Sequence, residues 1–165
     1  MEIQETMNNI LERIPWFLEL SPAQIDALAQ IARIRSLAAG TIIFNEGDSE
    51  DCLYLLLEGQ ADALVHIPGH GQVVLYRVEP LDIVGWSVLT PVVRQRTVTI
   101  KAISDVRVIC FNSNILRQMC EKDHDFGYVI MRRIANVVAS RLLVTRLQLF
   151  DLLRQTDQLA QSNHH

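Results

Sequence analysis

Basic residues are in short supply in this chain. Its 165 residues carry 15 Lys and Arg against 19 Asp and Glu, a formal charge of −4 with a pI near 5.7. A surface that neutralises phosphates needs the opposite sign, so neither nucleic acid nor anionic membrane is an expected partner of this chain. Cysteine is equally sparse: Cys52, Cys110 and Cys120 are odd in number and show no CxxC or Cys/His ligand spacing. That argues against a disulfide framework and signals no zinc or iron–sulfur site, leaving idle thiols in a reducing compartment and no expected metal. No apolar run reaches the ~18 residues of a membrane span, and the start, MEIQETMNNI, is polar and acidic where a secretory signal is basic and then apolar. A cytoplasmic protein is expected. His164 and His165 have the form of a tag remnant and carry no argument.

What is present is enough apolar material for a packed core: 49% hydrophobic residues, 21% charged and a mean hydropathy of +0.16 in 18.8 kDa, one domain or one domain with a helical extension. Ser21-Pro22-Ala23-Gln24 is a capping box with proline at the first helical position, and Ile25, Leu28, Ala29 and Ala32 recur at helical spacing after it. A second short helix is expected ahead of it, from Leu11 to Phe17. From Ile34 to Phe111 the texture changes to short apolar or alternating runs, TIIF, CLYLLLEG, ADALVHI, QVVLYRV, TVTIKAI and VRVICF, punctuated by glycines. Six or more short strands separated by turns predict an antiparallel sandwich or barrel. Pro68-Gly69-His70-Gly71 reads as a hairpin loop, which makes His70 a solvated turn residue.

After Phe111 the helical period returns. Asn112 or Ser113 caps a short helix through Met119, and Asp123 or Asp125 caps a long one. The latter has no proline from Phe126 to Ala160, roughly 35 residues or about 52 Å. Along it Met131, Ala135, Val138, Leu142, Thr145, Leu149, Leu152, Thr156 and Leu159 form a near-continuous a/d seam, and Ile130, Ile134, Val137 and Val144 form a second stripe over the early turns. Two accounts stay open: the second stripe packs on the β domain while the seam pairs with another copy of the helix, or one broad stripe is buried against the chain's own barrel. The first divides the chain into residues 1–124, helices and barrel, and 125–160, a dimerisation helix.

Catalytic patterns are not visible. His66, His70 and His124 fall in different elements with no HxH…E grouping, and Glu46, Asp48, Glu50 and Asp51 crowd one loop at spacings unlike a calcium site. Ser87 has neither flanking nucleophile-elbow glycines nor a nearby histidine in sequence. The segment from Asp82 to Thr99 is different: a strand, Gly85, a single helical turn over Trp86, Ser87 and Val88, then Arg94 and Arg96 leading into a strand. Free N–H groups at a helical turn, with a guanidinium opposite and a hydroxyl beside it, make an anion site. Val98, Ile100 and Ala102 share a strand face with Arg96, so the arginine would start that strand pointing inward. There it must meet an anion, or else sit at the rim and reach solvent or an internal carboxylate.

Taken in order, these segments resemble the cyclic nucleotide-binding domain family, in the form found in catabolite-activator-type bacterial regulators. GTIIFNEGD, LYLLLEGQA, the glycine–arginine segment and SRLLVTRLQLFDLL carry the likeness. The resemblance implies a double-stranded β-helix, an eight-stranded jelly-roll barrel with flanking helices, followed by a long C-terminal helix that makes a homodimer. It implies a regulatory sensor, not an enzyme, that takes no cofactor but receives a cyclic nucleotide or another small anionic ligand. Gly85, Leu89, Arg96 and Thr97 match the family cassette GE(L/I)AL…R(T/S)A. By the same likeness Arg96 would hold the cyclic phosphate, Thr97 would assist, and Thr145 would meet the base.

The departures from the cassette matter as much. Its glutamate, which accepts from the ribose 2′-hydroxyl, is Trp86 here, and an indole has no acceptor. Val98 replaces a small alanine, Arg94 rivals Arg96 for the phosphate, and six residues after Leu159 leave no room for a helix-turn-helix. Haem or iron–sulfur sensing would need ligands, and no cysteine or histidine precedes Pro15. A second expectation therefore stands beside the sensor: an interaction module whose pocket is filled by Trp86.

Overall fold

A computed structural model of the chain describes residues 6–49, 51–90, 92–93 and 95–162, without the side chains of 159–162. The chain falls into two compact units, Met1–Arg133 and Ile134–His165. The first opens with helix α1 (Met7–Glu12), whose N-terminus Thr6 caps by accepting from the Asn9 N–H at 3.3 Å. The helix expected from Leu11 to Phe17 is not continuous. Pro15 lacks an N–H and restricts Ile14 to extended backbone, so α1 ends before it and Pro15–Phe17 forms a separate 3-10 turn. Helix α2 (Pro22–Ile31) starts at the full capping box, Ser21 N–H to Gln24 Oε1 at 2.9 Å and Gln24 N–H to Ser21 Oγ at 3.3 Å. Ala32, expected on this helix, instead begins the first strand.

Eight strands follow: β1 (Ala32–Leu37), β2 (Ile42–Phe44), β3 (Cys52–Glu58), β4 (Ala61–Ile67), β5 (Gly71–Val78), β6 (Ile83–Val84), β7 (Thr99–Ala102) and β8 (Val106–Asn112). They make two four-stranded antiparallel sheets, ordered β1-β8-β3-β6 and β2-β7-β4-β5, the jelly-roll arrangement. Between the sheets lies a core that includes Phe44, Tyr54, Leu56, Ala63, Ile100 and Val108. The β4–β5 hairpin turns through Pro68-Gly69-His70, with His70 exposed. Strand β5 is a sheet edge with Val73 and Val74 exposed, and its pairing with β4 is broken by a register shift between Ala63 and Leu64.

The β5–β6 turn carries an unusual conformation: Leu81 has φ 74° where glycine is the ordinary occupant. Its N–H donates to the Leu56 carbonyl at 2.7 Å, and Asp82 closes the turn by accepting from the Glu79 N–H at 3.0 Å.

Helix α3 (Ser113–Lys122) is capped by Asn112, which accepts from the Ile115 N–H at 3.0 Å. Asp123 ends it and starts α4 (His124–Ser162), accepting from the Phe126 N–H at 3.0 Å and from Gln24 Nε2 at 2.8 Å. The Gln24 hydrogen bond, then that of Phe126, holds the Asp123 carboxyl below its ordinary pKa. Gly127 lets α4 cross the end of α3 closely, since a Cβ there would lie 2.6 Å from the Cys120 carbonyl oxygen. Glu19 pairs with Arg132 and, at 3.4 Å, with Arg133 in the first turns of α4.

Within the second unit α4 presents much of the expected seam to solvent: Leu142 is 69% exposed, Leu149 53% and Leu152 61%, with Thr145 and Thr156 exposed as well. Val138 is half-buried, as are Val137 and Val144 of the second stripe, while Met131 and Ala135 nearer the start of the helix are exposed. The side chain of Leu159 lies outside the described residues, as do Glu50, His164 and His165. No helix among the described residues is long and apolar enough to cross a membrane.

Candidate functional site

Strand β6 ends at Val84, and Gly85, in the left-handed region at φ 78°, turns the chain into a 3-10 turn, Trp86–Leu89. The turn closes on itself: Thr90 N–H and Thr90 Oγ1 both donate to the Ser87 carbonyl, at 3.1 and 2.9 Å. Ser87, Val88 and Leu89 are buried and Trp86 is half-buried. The Ser87 hydroxyl is buried with no hydrogen-bond partner among the described residues.

Opposite this turn lies Arg96, 2% exposed and among the largest fully buried side chains. The backbone at Arg96 precedes β7, which begins at Thr99, and is held by the β2–β3 loop: Arg96 N–H donates to the Asp48 carbonyl at 2.9 Å, and Gly47 N–H to the Arg96 carbonyl at 2.8 Å. That pins the residue so that its side chain runs inward. Nη1 donates to the Gly85 carbonyl at 2.8 Å and Nη2 to the Cys52 carbonyl at 2.5 Å. The guanidinium carbon stands 4.3 Å from the Phe44 ring centroid and 5.9 Å from that of Tyr54, the two rings being stacked at 5.7 Å. The sequence left two alternatives open, an anion, or a place at the rim with access to solvent or an internal carboxylate, and the side chain is not at the rim. Two neutral carbonyls and an aromatic face are among its partners, a cation–π contact being worth about 2 kcal/mol when desolvated.

Gly85 is needed on two counts. Its φ is strained for any side chain, and a Cβ there would lie 2.1 Å from Arg96 Nη1. The structure thus brings Gly85, Trp86, Ser87, Val88 and Arg96 together. Thr97 is exposed beside them, Arg94 lies outside the described residues, and Thr145, in the second unit, donates from Oγ1 to the Arg141 carbonyl at 2.9 Å. Phe44, Tyr54 and the Cys52 carbonyl were not singled out from sequence. The rings read there as ordinary strand residues, and a main-chain acceptor leaves no mark on residue identity.

In the acidic loop, Asp48 accepts from Asn45 N–H at 2.8 Å and Glu46 from His66 N–H at 3.2 Å. Among the described residues no group of three or more His, Cys, Asp or Glu side chains is placed to hold a metal ion. The three cysteines are free and half-buried, and burial pushes the Cys120 thiol up to about 11.

A jelly roll carrying a glycine turn over an inward arginine defines a class of ligand-binding barrel. Residues 34–123 match the model of the cyclic nucleotide-binding domain, and the chain belongs to that family. It is 27% identical over 148 residues to a CRP-like cAMP-activated global transcriptional regulator of Mycobacterium tuberculosis, covering 89% of this chain and 63% of the relative. This chain therefore spans less than two thirds of that curated relative. A solved structure from Geobacter metallireducens, described as cyclic nucleotide-binding, is 30% identical with TM-score 0.72 over 82% of this chain and 97% of its own. A cyclic nucleotide-binding domain from Methylobacillus flagellatus shares the fold at 18% identity, with TM-score 0.74 over 88% of this chain and 82% of its own.

Proposed function

We propose that this chain is a ligand-receiving regulatory module and not an enzyme: a cyclic nucleotide or another compact anion enters at Arg96, and its arrival is passed to the dimer helix. The observation that carries the reading is the buried Arg96 guanidinium beneath the Gly85 turn. Two of its donors go to neutral carbonyls, and hydrogen bonds to an ionised acceptor are roughly twice as strong as neutral ones, so a phosphate oxygen competes well for these two. Arg96 would hold the phosphate with Thr97 assisting, the turn from Gly85 to Val88 would close over it, and Thr145 would meet the base. Residues 1–124 serve as the receptor and 125–160 as the helix that pairs with a second copy, burying the leucine face. The cytoplasm is the expected compartment, and the excess of acidic residues disfavours duplex DNA as a partner of these 165 residues.

The bonds that Arg96 already makes favour a second reading. A guanidinium that bonds Gly85 and Cys52 and lies on Phe44 also suits a ligand-free interaction module in which the arginine is an internal strut and Trp86 fills the ribose position.

Calorimetric titration with cyclic AMP and cyclic GMP separates the two. The sensor binds them weakly as it stands. Trp86→Glu raises affinity roughly ten- to a hundredfold, the worth of one charge-assisted hydrogen bond. Adding Arg96→Ala abolishes the gain, whereas Arg94→Ala leaves it mostly intact. Tight binding by the unmutated chain would give Trp86 a stacking role instead, and no response after Trp86→Glu would favour the strut.

A further inference from the structure

We infer that Arg117 is a positioning residue that couples the Gly85–Leu89 turn to helix α3, an inference that rests on the sensor reading above. Arg117 projects from the second turn of α3, and its Nη2 donates to the Val88 carbonyl at 2.7 Å. The same guanidinium leans on its own helix, with Nη1 3.4 Å from Asn114 Oδ1. The arginine bridges a groove of about 520 Å³, lined by Val88, Leu89 and Thr90 on one side and Asn114, Arg117 and Glu121 on the other.

The Val88 carbonyl is well placed for this role. It lies in a turn of four residues that hinges at Gly85, whose own carbonyl is held by Arg96. A shift of Gly85 as Arg96 changes acceptor therefore shifts Val88, and the Val88–Arg117 bond carries that shift to α3. The far end of α3 is fastened to the start of α4. Asp123 caps α4 through the Phe126 N–H and is gripped by Gln24 of α2, while Gly127 lies against the Cys120 carbonyl. A tilt of α3 cannot leave these joints unmoved, because close packing and short hydrogen bonds transmit displacement. In this proposal the turn is the element that shifts, and Arg117 is its link to the helices. The planar guanidinium fork reaches the turn and its own helix together, and a lysine ammonium at the same place keeps a charged donor for the Val88 carbonyl.

The test uses the full chain and hydrogen exchange resolved to short segments. Arg117→Ala is expected to speed exchange about tenfold or more at 86–90 and also at 123–127, with the β4–β5 hairpin unchanged and the circular dichroism spectrum retained. Arg117→Lys restores most of the protection at both places. Faster exchange confined to the turn, or lysine failing to restore either segment, would overturn coupling and leave a local prop. A ligand arm uses cyclic AMP with Trp86→Glu. Binding should change exchange at 114–127 when Arg117 is present, and not in the Trp86→Glu, Arg117→Ala chain, with affinity within about threefold. Propagation undiminished without Arg117, or affinity lost with it, would refute the proposal. Absence of any cyclic AMP binding by Trp86→Glu counts against the sensor reading, and the ligand-free arm then decides the role of Arg117 alone.

Discussion

The two units of this chain break the ordinary rule of polar outside and apolar inside in opposite directions. Around Gly85 a full positive charge is buried, Arg96 at 2% exposure; along the second half of α4 leucines are left outside, Leu142 and Leu152 above 60%. The partners that compensate the first inversion include two carbonyls and an aromatic ring of the same unit. Among the described residues of the second unit, nothing covers these leucines. The comparison teaches where each region's stability must come from: the arginine is held by groups of its own unit, whereas under the proposed function the leucine face is covered by a second copy.

The largest effect should come from the outer face. Leu149→Glu removes one leucine per protomer from the proposed dimer, each worth roughly 1.5–3 kcal/mol, so association weakens by more than a hundredfold. Light scattering should then report a soluble monomer beside a dimeric parent; a parent monomeric at tens of micromolar, in the usual range of coiled-coil association, would remove the contrast. Next is Arg96→Ala, which orphans the Gly85 and Cys52 carbonyls and opens a void, at about 3–5 kcal/mol in urea unfolding. A loss under about 1 kcal/mol would show that the charge was no better accommodated than the empty space.

Gly85→Ala should cost somewhat less, about 2–3 kcal/mol, because it combines left-handed strain with displacement of the arginine from its carbonyl. Thermal unfolding of the double substitution with Arg96→Ala checks the mechanism, since the two penalties should fall short of additive. The smallest effect has the opposite sign. Leu81→Gly relieves a left-handed leucine and should stabilise by about 0.5–1 kcal/mol, read as a higher denaturant midpoint with unchanged slope. Destabilisation there would mean that the half-exposed leucine side chain contributes more than its backbone costs.

Much of the barrel was legible because alternation and glycine punctuation are local signals. CLYLLLEG and VRVICF became β3 and β8, and the Ser21 capping box began α2 where expected. Strand β1 was missed because ARIRSL exposes most of its residues, so no apolar run announces it, and its Ala32 continued the helical spacing of α2. It is a strand because β8 offers it a ladder, from Ala32 opposite Phe111 to Leu37 opposite Val106. At the site, the alternation of Val98, Ile100 and Ala102 predicts the inward course of Arg96, and the side chain is buried. Its partners could not be read, because the Gly85 and Cys52 carbonyls belong to backbone that any residue supplies. The same holds for Arg117, whose acceptor is the Val88 carbonyl 29 positions away.

The register shift in the β4–β5 hairpin has a consequence for the molecule in a crowded solution. Among the described residues β5 is the last strand of its sheet, and its exposed Val73 and Val74 make part of that border an apolar strip. The irregularity between Ala63 and Leu64 falls opposite the middle of that strip and increases its twist, so a flat approaching strand cannot match hydrogen bonds along its whole length. Repairing the register by deleting one residue would straighten the hairpin and convert this border into a template for fibrillar growth.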